Sequence, residues 1–253
     1  MLKILIPISI ILAITTGCSE NTSTVKEFRL SELEGSRDPL AICILDFGKK
    51  WAIDTNLELD QLECNGEYVA DGEKIVSLDG INAYPNLSTL HLNEQRLNNL
   101  SPLKSLEKLE ILSIKSSGIS DITAIGTLEK LELLNLSYNP IKNIEIISKL
   151  TRLENLLLNG TELENLSFVQ NLKNLYTLEI WNNHITNIDE VSKLKKLQLL
   201  DIGNNPVNDI TPLVKLKHLD SLILDKNSTV NCSQISEIKK SNPALQIRGL
   251  NCG

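Results

Sequence analysis

The stretch Leu131 to Arg152, LELLNLSYNPIKNIEIISKLTR, is one unit of a 22-residue repeat. Units begin at Leu87, Leu109, Leu131, Leu153, Leu175, Leu197 and Leu219, with no insertion between them. Each unit has seven apolar slots, and across the seven units only Thr229 and Cys232 in these slots are not Leu, Ile or Val. A fixed period of this length is the signature of a solenoid, which constrains the fold before any local prediction is made.

The spacing within the unit sets its local structure. In Leu134-Asn135-Leu136 the apolar period is two, so both leucines share one face of a short strand. Ile141, Ile144, Ile147 and Leu150 then step by three, which suits 3₁₀ or short helical turns on a return path. A single coil cannot offset the conformational entropy lost in ordering it, so coils must stack and bury one another's faces. Position nine reads Gln95, Ser117, Asn139, Thr161, Asn183, Asn205 and Asn227. Each can hydrogen-bond backbone where the chain leaves the strand and sheet partners stop.

With these residues in view, the unit resembles a leucine-rich repeat. It is similar to the 22-residue subclass of bacterial internalins and of the phosphatase-regulatory leucine-rich-repeat subunit, over about Leu59 to Lys240. The resemblance implies an α/β fold: a curved right-handed solenoid with a parallel β-sheet on its concave face and 3₁₀ or short helical segments on its convex side. It also implies protein recognition rather than catalysis.

Residues 1–17 read as a targeting segment, with Lys3 ahead of the apolar run Ile4 to Ile14, which is too short to span a bilayer. Ile14-Thr15-Thr16-Gly17-Cys18 resembles a bacterial lipobox, with Thr15 where that motif usually has Leu. The resemblance implies lipidation of Cys18. An ordinary secretory signal, or an uncleaved anchor with an incidental Cys18, is the competing reading. Ser19 rather than Asp after the cysteine resembles an outer-membrane address. Residues 18–37 read as a polar tether, with Phe28 to Leu33 its candidate for packing on the domain edge. Residues 38–58 read as an N-terminal cap, in which Asp38-Pro39 starts a helix over Leu40 to Lys50. Residues 59–240 form eight coils, the first longer by six residues near Gly66 to Gly72. Residues 241–253, with the partial strand Leu245-Gln246-Ile247, form the C-terminal cap.

With Cys18 assigned to lipid, four cysteines remain. Cys43 lies in the cap helix and Cys64 in the strand beneath it. Cys232 and Cys252 lie together at the other end. Cys43–Cys64 and Cys232–Cys252 disulfides are therefore expected, since the other pairings would join opposite ends of a stiff rod. Buried free thiols are the alternative.

The concave strip, taken from the positions between and after the core leucines, includes Tyr138, Leu157 and Trp181 in a chain only 4% aromatic. They are candidate partner anchors, because aromatic residues are enriched in interface hot spots. Scattered exposed apolar residues are the plainer explanation. Glu179, Asp201 and Asp225 form an acidic run beside them, which suits a basic partner or a calcium ion, or is a solvated face.

The net charge of −7, from 25 basic and 32 acidic residues, argues against nucleic acid. His91, His184 and His218 are several coils apart and no nucleotide-binding, hydrolase or zinc motif occurs, so neither catalysis nor a metal or cofactor is expected. Acid–base work by Glu179 and Asp201 would need an enclosing pocket to separate their pKa values. The expectation is a monomeric, lipid-anchored protein of the bacterial envelope. Its outward-looking alternative contacts a neighbouring or host cell; its inward-looking one is a periplasmic structural or assembly protein.

Overall fold

The computed structural model describes residues 25–66, 73–227 and 230–249. The targeting segment, Cys18, the surplus at 67–72 and Cys252 lie outside them. The described chain winds into coils that each give one three-residue strand to a single parallel sheet in sequential order. The strands are β1 (Gln61–Glu63), β2 (Thr89–His91), β3 (Ile111–Ser113), β4 (Leu133–Asn135), β5 (Asn155–Leu157), β6 (Thr177–Glu179), β7 (Leu199–Asp201), β8 (Ser221–Ile223) and β9 (Gln246–Arg248). The first eight fall in the span read as repeats. β9 lies one residue beyond the expected Leu245–Ile247.

The register is strictly periodic. Leu62, Leu90, Leu112, Leu134, Leu156, Leu178, Leu200 and Leu222 stand side by side across the sheet, and each is fully buried. Identical aliphatic side chains at each level give every coil the same cross-section, which lets the stack continue without a gap. We number the coils by their strands, so that coil 4 is Leu131–Arg152 and coil 6 is Leu175–Lys196.

The return path is a 3₁₀ segment in each of coils 2 to 7, for example Thr123–Thr127 and Asp189–Lys193. Slot residues three apart bond directly, as in Val191 N–H to the Ile188 carbonyl (3.0 Å) and Leu194 N–H to the Val191 carbonyl (2.9 Å). The spacing of three therefore serves both the core and the backbone. Coil 4 departs from the pattern. Its segment starts at the slot residue itself, Ile144–Lys149, and Ile141 and Ile144 are half-buried rather than fully inside. Ile146 instead packs onto Gly126 of the preceding coil, where an added Cβ would stand 3.0 Å from its Cδ1.

The ends differ from the coils. Helix α1 (Pro39–Trp51) starts as expected, with the Asp38 side chain accepting from Leu40 N–H at 2.8 Å and Pro39 in the first turn. It covers the open end of the core, and Cys43 is disulfide-bonded to Cys64 with Cα atoms 5.8 Å apart. From Lys26 onward, the stretch read as tether belongs to this cap. Asn56, fully buried, donates to the Ala83 and Lys26 carbonyls and accepts from Phe28 N–H, and Leu30 is buried. At the other end the return path of coil 8 widens into helix α2 (Cys232–Ser241), capped by Asn231, in place of a 3₁₀ turn. The C-terminal cap thus begins about ten residues earlier than the sequence suggested. Cys232 is disulfide-bonded, while its expected partner Cys252 is outside the described residues. Among the described residues no helix is long and apolar enough to cross a membrane.

Candidate binding face

The strand exit is built by position eight. Glu94, Ser116, Tyr138, Gly160, Asn182, Asn204 and Lys226 all have φ between 52° and 63°. This left-handed residue turns the chain sharply out of the sheet and drops position nine into the interior. A non-glycine residue there costs about 1–2 kcal/mol, and six of the seven coils accept that cost. The gain lies in the next residue. Every ninth-position side chain from Gln95 to Asn227 is buried. Asn183 shows the pattern: its Oδ1 accepts from Thr161 and Leu163 N–H (3.0 and 2.9 Å), while its Nδ2 donates to the Leu158 and Ile180 carbonyls (2.8 and 2.9 Å). Asn139 does the same between its own coils, and Asn205 accepts from Ile185 N–H and donates to the Ile180 and Ile202 carbonyls. The asparagine row thus joins successive coils where the sheet ends.

A second polar row, absent from the sequence reading, lies at position seven. In coils 2 to 7 each N–H there is bonded by a concave side chain: Asn93 N–H by Asn65, Lys115 N–H by Asn93, Asn159 N–H by Ser137 and Trp181 N–H by Asn159, all of the preceding coil. In Ser137 and Gly203 the acceptor is the fifth-position side chain of the same coil, Asn135 or Asp201. Several residues counted as partner-facing are therefore committed to the backbone, and Ser113, Ser137 and Gly203 are buried. The signal available was the recurrence of Asn, Ser and Asp at positions five and seven, residue types that favour local side-chain-to-backbone bonds.

The candidate anchors Tyr138, Leu157 and Trp181 all reach the concave face, but as separate features. Tyr138 is exposed (44%), while Leu157 and Trp181 are half-buried. Each ring lies across a glycine of the following coil. A Cβ on Gly160 would come 2.9 Å from Tyr138 Cδ1, and one on Gly203 would come 2.8 Å from Trp181 Cδ1. A lysine sits over each ring: Lys115 Nζ is 5.5 Å from the Tyr138 centroid and Lys226 Nζ is 5.8 Å from that of Trp181. Both rings lean toward the C-terminal neighbour, and no aromatic pair among the described residues joins them.

Half-buried side chains missed by the sequence reading complete the face. Position three also points outward, because the period of two places it there as surely as position five. It brings Ile111 beside Leu133, and Leu199 further along, to the same surface as Leu157 and Ile223. Glu179 and Asp201 are register partners on β6 and β7. Burial raises the Asp201 pKa above the ordinary carboxylate range. The Gly203 N–H and Arg248 oppose that shift, while Glu179 and Asp225 add to it. Glu179 is held by Asn159 Nδ2 at 3.0 Å. Among the described residues no group of three His, Cys, Asp or Glu side chains is placed to hold a metal ion.

Comparison with known proteins agrees with this geometry. The family described as leucine-rich repeats (two copies) matches residues 173–215. No curated protein sequence matches the chain. Among solved structures, internalin C2 of Listeria monocytogenes superposes with a TM-score of 0.72 at 22% identity, over 90% of this chain and 100% of that one. A leucine-rich-repeat protein of Leptospira interrogans gives a TM-score of 0.66 at 29% identity over 75% of this chain. The matched region spans about half of that protein (48%). Internalin F of Listeria monocytogenes gives 0.53 at 22% identity, over 89% of this chain and 92% of that one. The repeat register, the buried asparagine row and these likenesses together show that the chain folds as a leucine-rich-repeat solenoid similar to those of the internalins.

Proposed function

We propose that this chain is a non-enzymatic recognition protein of the bacterial envelope, anchored through lipid on Cys18 and binding a protein partner on its concave face. The observation that carries the reading is the face itself. Ile111, Leu133, Leu157, Leu199 and Ile223 stay partly open on a sheet whose other side is packed solid. Half-open aliphatics beside Trp181 and three carboxylates suit a partner that presents apolar side chains flanked by cations. The carboxylates lie on an open sheet rather than in an enclosure, which supports binding over acid–base chemistry. The internalin-like fold supports an outward-looking role, and Ser19 after Cys18 supports an outer-membrane address.

Two measurements test this reading. Protease accessibility of the domain on intact cells should match that of permeabilised cells, and a Cys18→Ala variant should leave the membrane fraction. Protection until the envelope is opened would move the search to periplasmic partners. Cross-linking from a photoreactive residue at Leu157 should give a discrete adduct that Trp181→Ala weakens. Equal adducts from the exposed convex position Thr123 would remove the concave face from the proposal.

A further inference from the structure

The concave face is not the only patterned surface. The chain carries a net charge of −7, yet its lysines are unevenly placed. Positions 18–22 of each unit lie just before the strand, on the upstream flank of the solenoid. In coils 5 to 7 these positions hold Lys173, Lys193, Lys195, Lys196, Lys215 and Lys217, with no acidic residue among them. All six are exposed. Lys239 and Lys240, at the end of α2, extend the field. The nearest acids at strand starts are Glu154 and Asp220. In coils 2 and 3 the same positions carry both signs, with Lys104 and Lys108 beside Glu107 and Lys130 beside Glu129.

The stripe is not neutralised internally. Of the six lysines only Lys193 has a carboxylate partner among the described residues, Glu190 at 3.0 Å. Lys196 donates to the Asn174 side chain and Lys195 to the Ser192 carbonyl, contacts that leave the charge in place. The downstream flank of the same coils has the opposite character. Positions 9–13 there hold Glu162, Glu164 and Asp209 and no lysine. Coils 5 to 7 are therefore polarised across their width, basic before the strand and acidic after it.

We propose that this upstream flank docks the solenoid on the surface of an anionic phospholipid bilayer. Three features favour a bilayer over a single polyanionic chain. The lysines form a two-dimensional field, repeated from coil to coil at the strand spacing of about 4.8 Å, rather than lining a groove. They are all lysine, whose compact charge suits diffuse attraction, whereas bidentate phosphate recognition favours arginine. Tyr176 has Lys196 Nζ over its ring at 5.9 Å and the exposed His218 stands singly beside Lys217, so the field has no row of rings on which successive bases would stack. Docked this way, the acidic flank points away from the membrane and the concave face stands at its side, open to a partner. The attraction is long-range and screened by salt.

The test uses the full chain in vesicles of phosphatidylcholine, with and without phosphatidylglycerol. Lysine reactivity toward an amine-acetylating reagent is read by peptide mass spectrometry. Any insertion of the N-terminal apolar run occurs in both vesicle types and cancels. The expected result is protection of Lys195, Lys196, Lys215 and Lys217 by roughly five-fold or more in anionic vesicles only, because each lysine near such a surface multiplies the binding constant by about five and together they hold the flank against it. Lys104, Lys108 and Lys130 should be unchanged, and high salt should abolish the difference. With Lys195, Lys196, Lys215 and Lys217 all changed to Gln, the residual protection of Lys173 and Lys239 should vanish; circular dichroism checks that this variant is folded. Uniform reactivity would overturn the proposal, as would equal protection in neutral vesicles. Protection by soluble polyphosphate but not by vesicles would overturn it in favour of a polyanion site.

Discussion

Two rows of polar side chains run the length of this solenoid, and they differ in what they can tolerate. The ninth-position row is buried and bonds five backbone groups per asparagine at its best. The concave row at positions five and seven bonds one N–H in each of coils 2 to 7, and most of its acceptors, among them Asn93, Asn135, Asn159 and Asp201, are half-buried and within reach of water. Both use the same residue types at a strand exit. Burial separates them: a lost bond in the dry row leaves orphaned donors and acceptors, whereas water can replace a lost bond in the wet one. Variation is therefore affordable on the face where a partner would sit, and not two residues further along the chain.

The largest expected effect breaks the dry row. Asn183→Ala strands Thr161 and Leu163 N–H and the Leu158 and Ile180 carbonyls in the core. It should cost about 3–5 kcal/mol in urea unfolding followed by circular dichroism. A loss below about 1 kcal/mol would mean that water enters the interior there, and the contrast between the rows would fail. Next comes Gly203→Ala, which tests the seat of the Trp181 ring. The new Cβ would meet Trp181 Cδ1 at 2.8 Å and the Asp225 carbonyl oxygen at 2.9 Å. Overpacking of this kind costs about 1–3 kcal/mol. In a Trp51→Phe background the displaced Trp181 should show red-shifted emission; unchanged emission would mean that the ring does not rest on Gly203. Asn159→Ala, in the wet row, removes the acceptor of Trp181 N–H and the donor to Glu179. About 1 kcal/mol is expected, well below the Asn183 value, and the difference between the two is the measurement that matters.

Much of this was legible in the sequence because one period controlled it. Leu134 and Leu136 announced a strand, Asn139 announced a buried cap at its exit, and Cys43 and Cys64 announced a stapled end. All follow from slots that recur every 22 residues. What stayed hidden lies off the template. Ile146 occupies a position with no fixed character, and its seat on Gly126 depends on a neighbour in the previous coil. Gly160 and Gly203 read as gaps in a pattern, yet they are the floors beneath Tyr138 and Trp181. Helix α2 replaces a 3₁₀ turn just where Thr229 and Cys232 break the slot pattern. The outward position three was overlooked because Ile111 and Leu133 look like core residues. Only the strand phase tells them from Leu112 and Leu134.

The smallest effect has the opposite sign and sharpens the comparison from the other side. Asp201 bonds Gly203 N–H at 2.9 Å through Oδ1, a bond that an asparagine keeps. The charge is the costly part. Burial first, then Glu179 and Asp225, raises its pKa in the folded state. The folded chain therefore binds this proton more readily than the unfolded chain, and stability falls as pH rises from the ordinary carboxylate value through the raised one. Above that window the full penalty applies. Asp201→Asn should thus stabilise the protein at neutral pH by about 0.5 kcal/mol or less, since the half-exposed carboxylate is partly screened. The gain should shrink to nothing below the ordinary carboxylate range. A gain that persists in acid would show that packing rather than charge is responsible. A loss at neutral pH would show that the carboxylate itself helps to hold the strand exit, which would move Asp201 from the partner-facing row into the structural one.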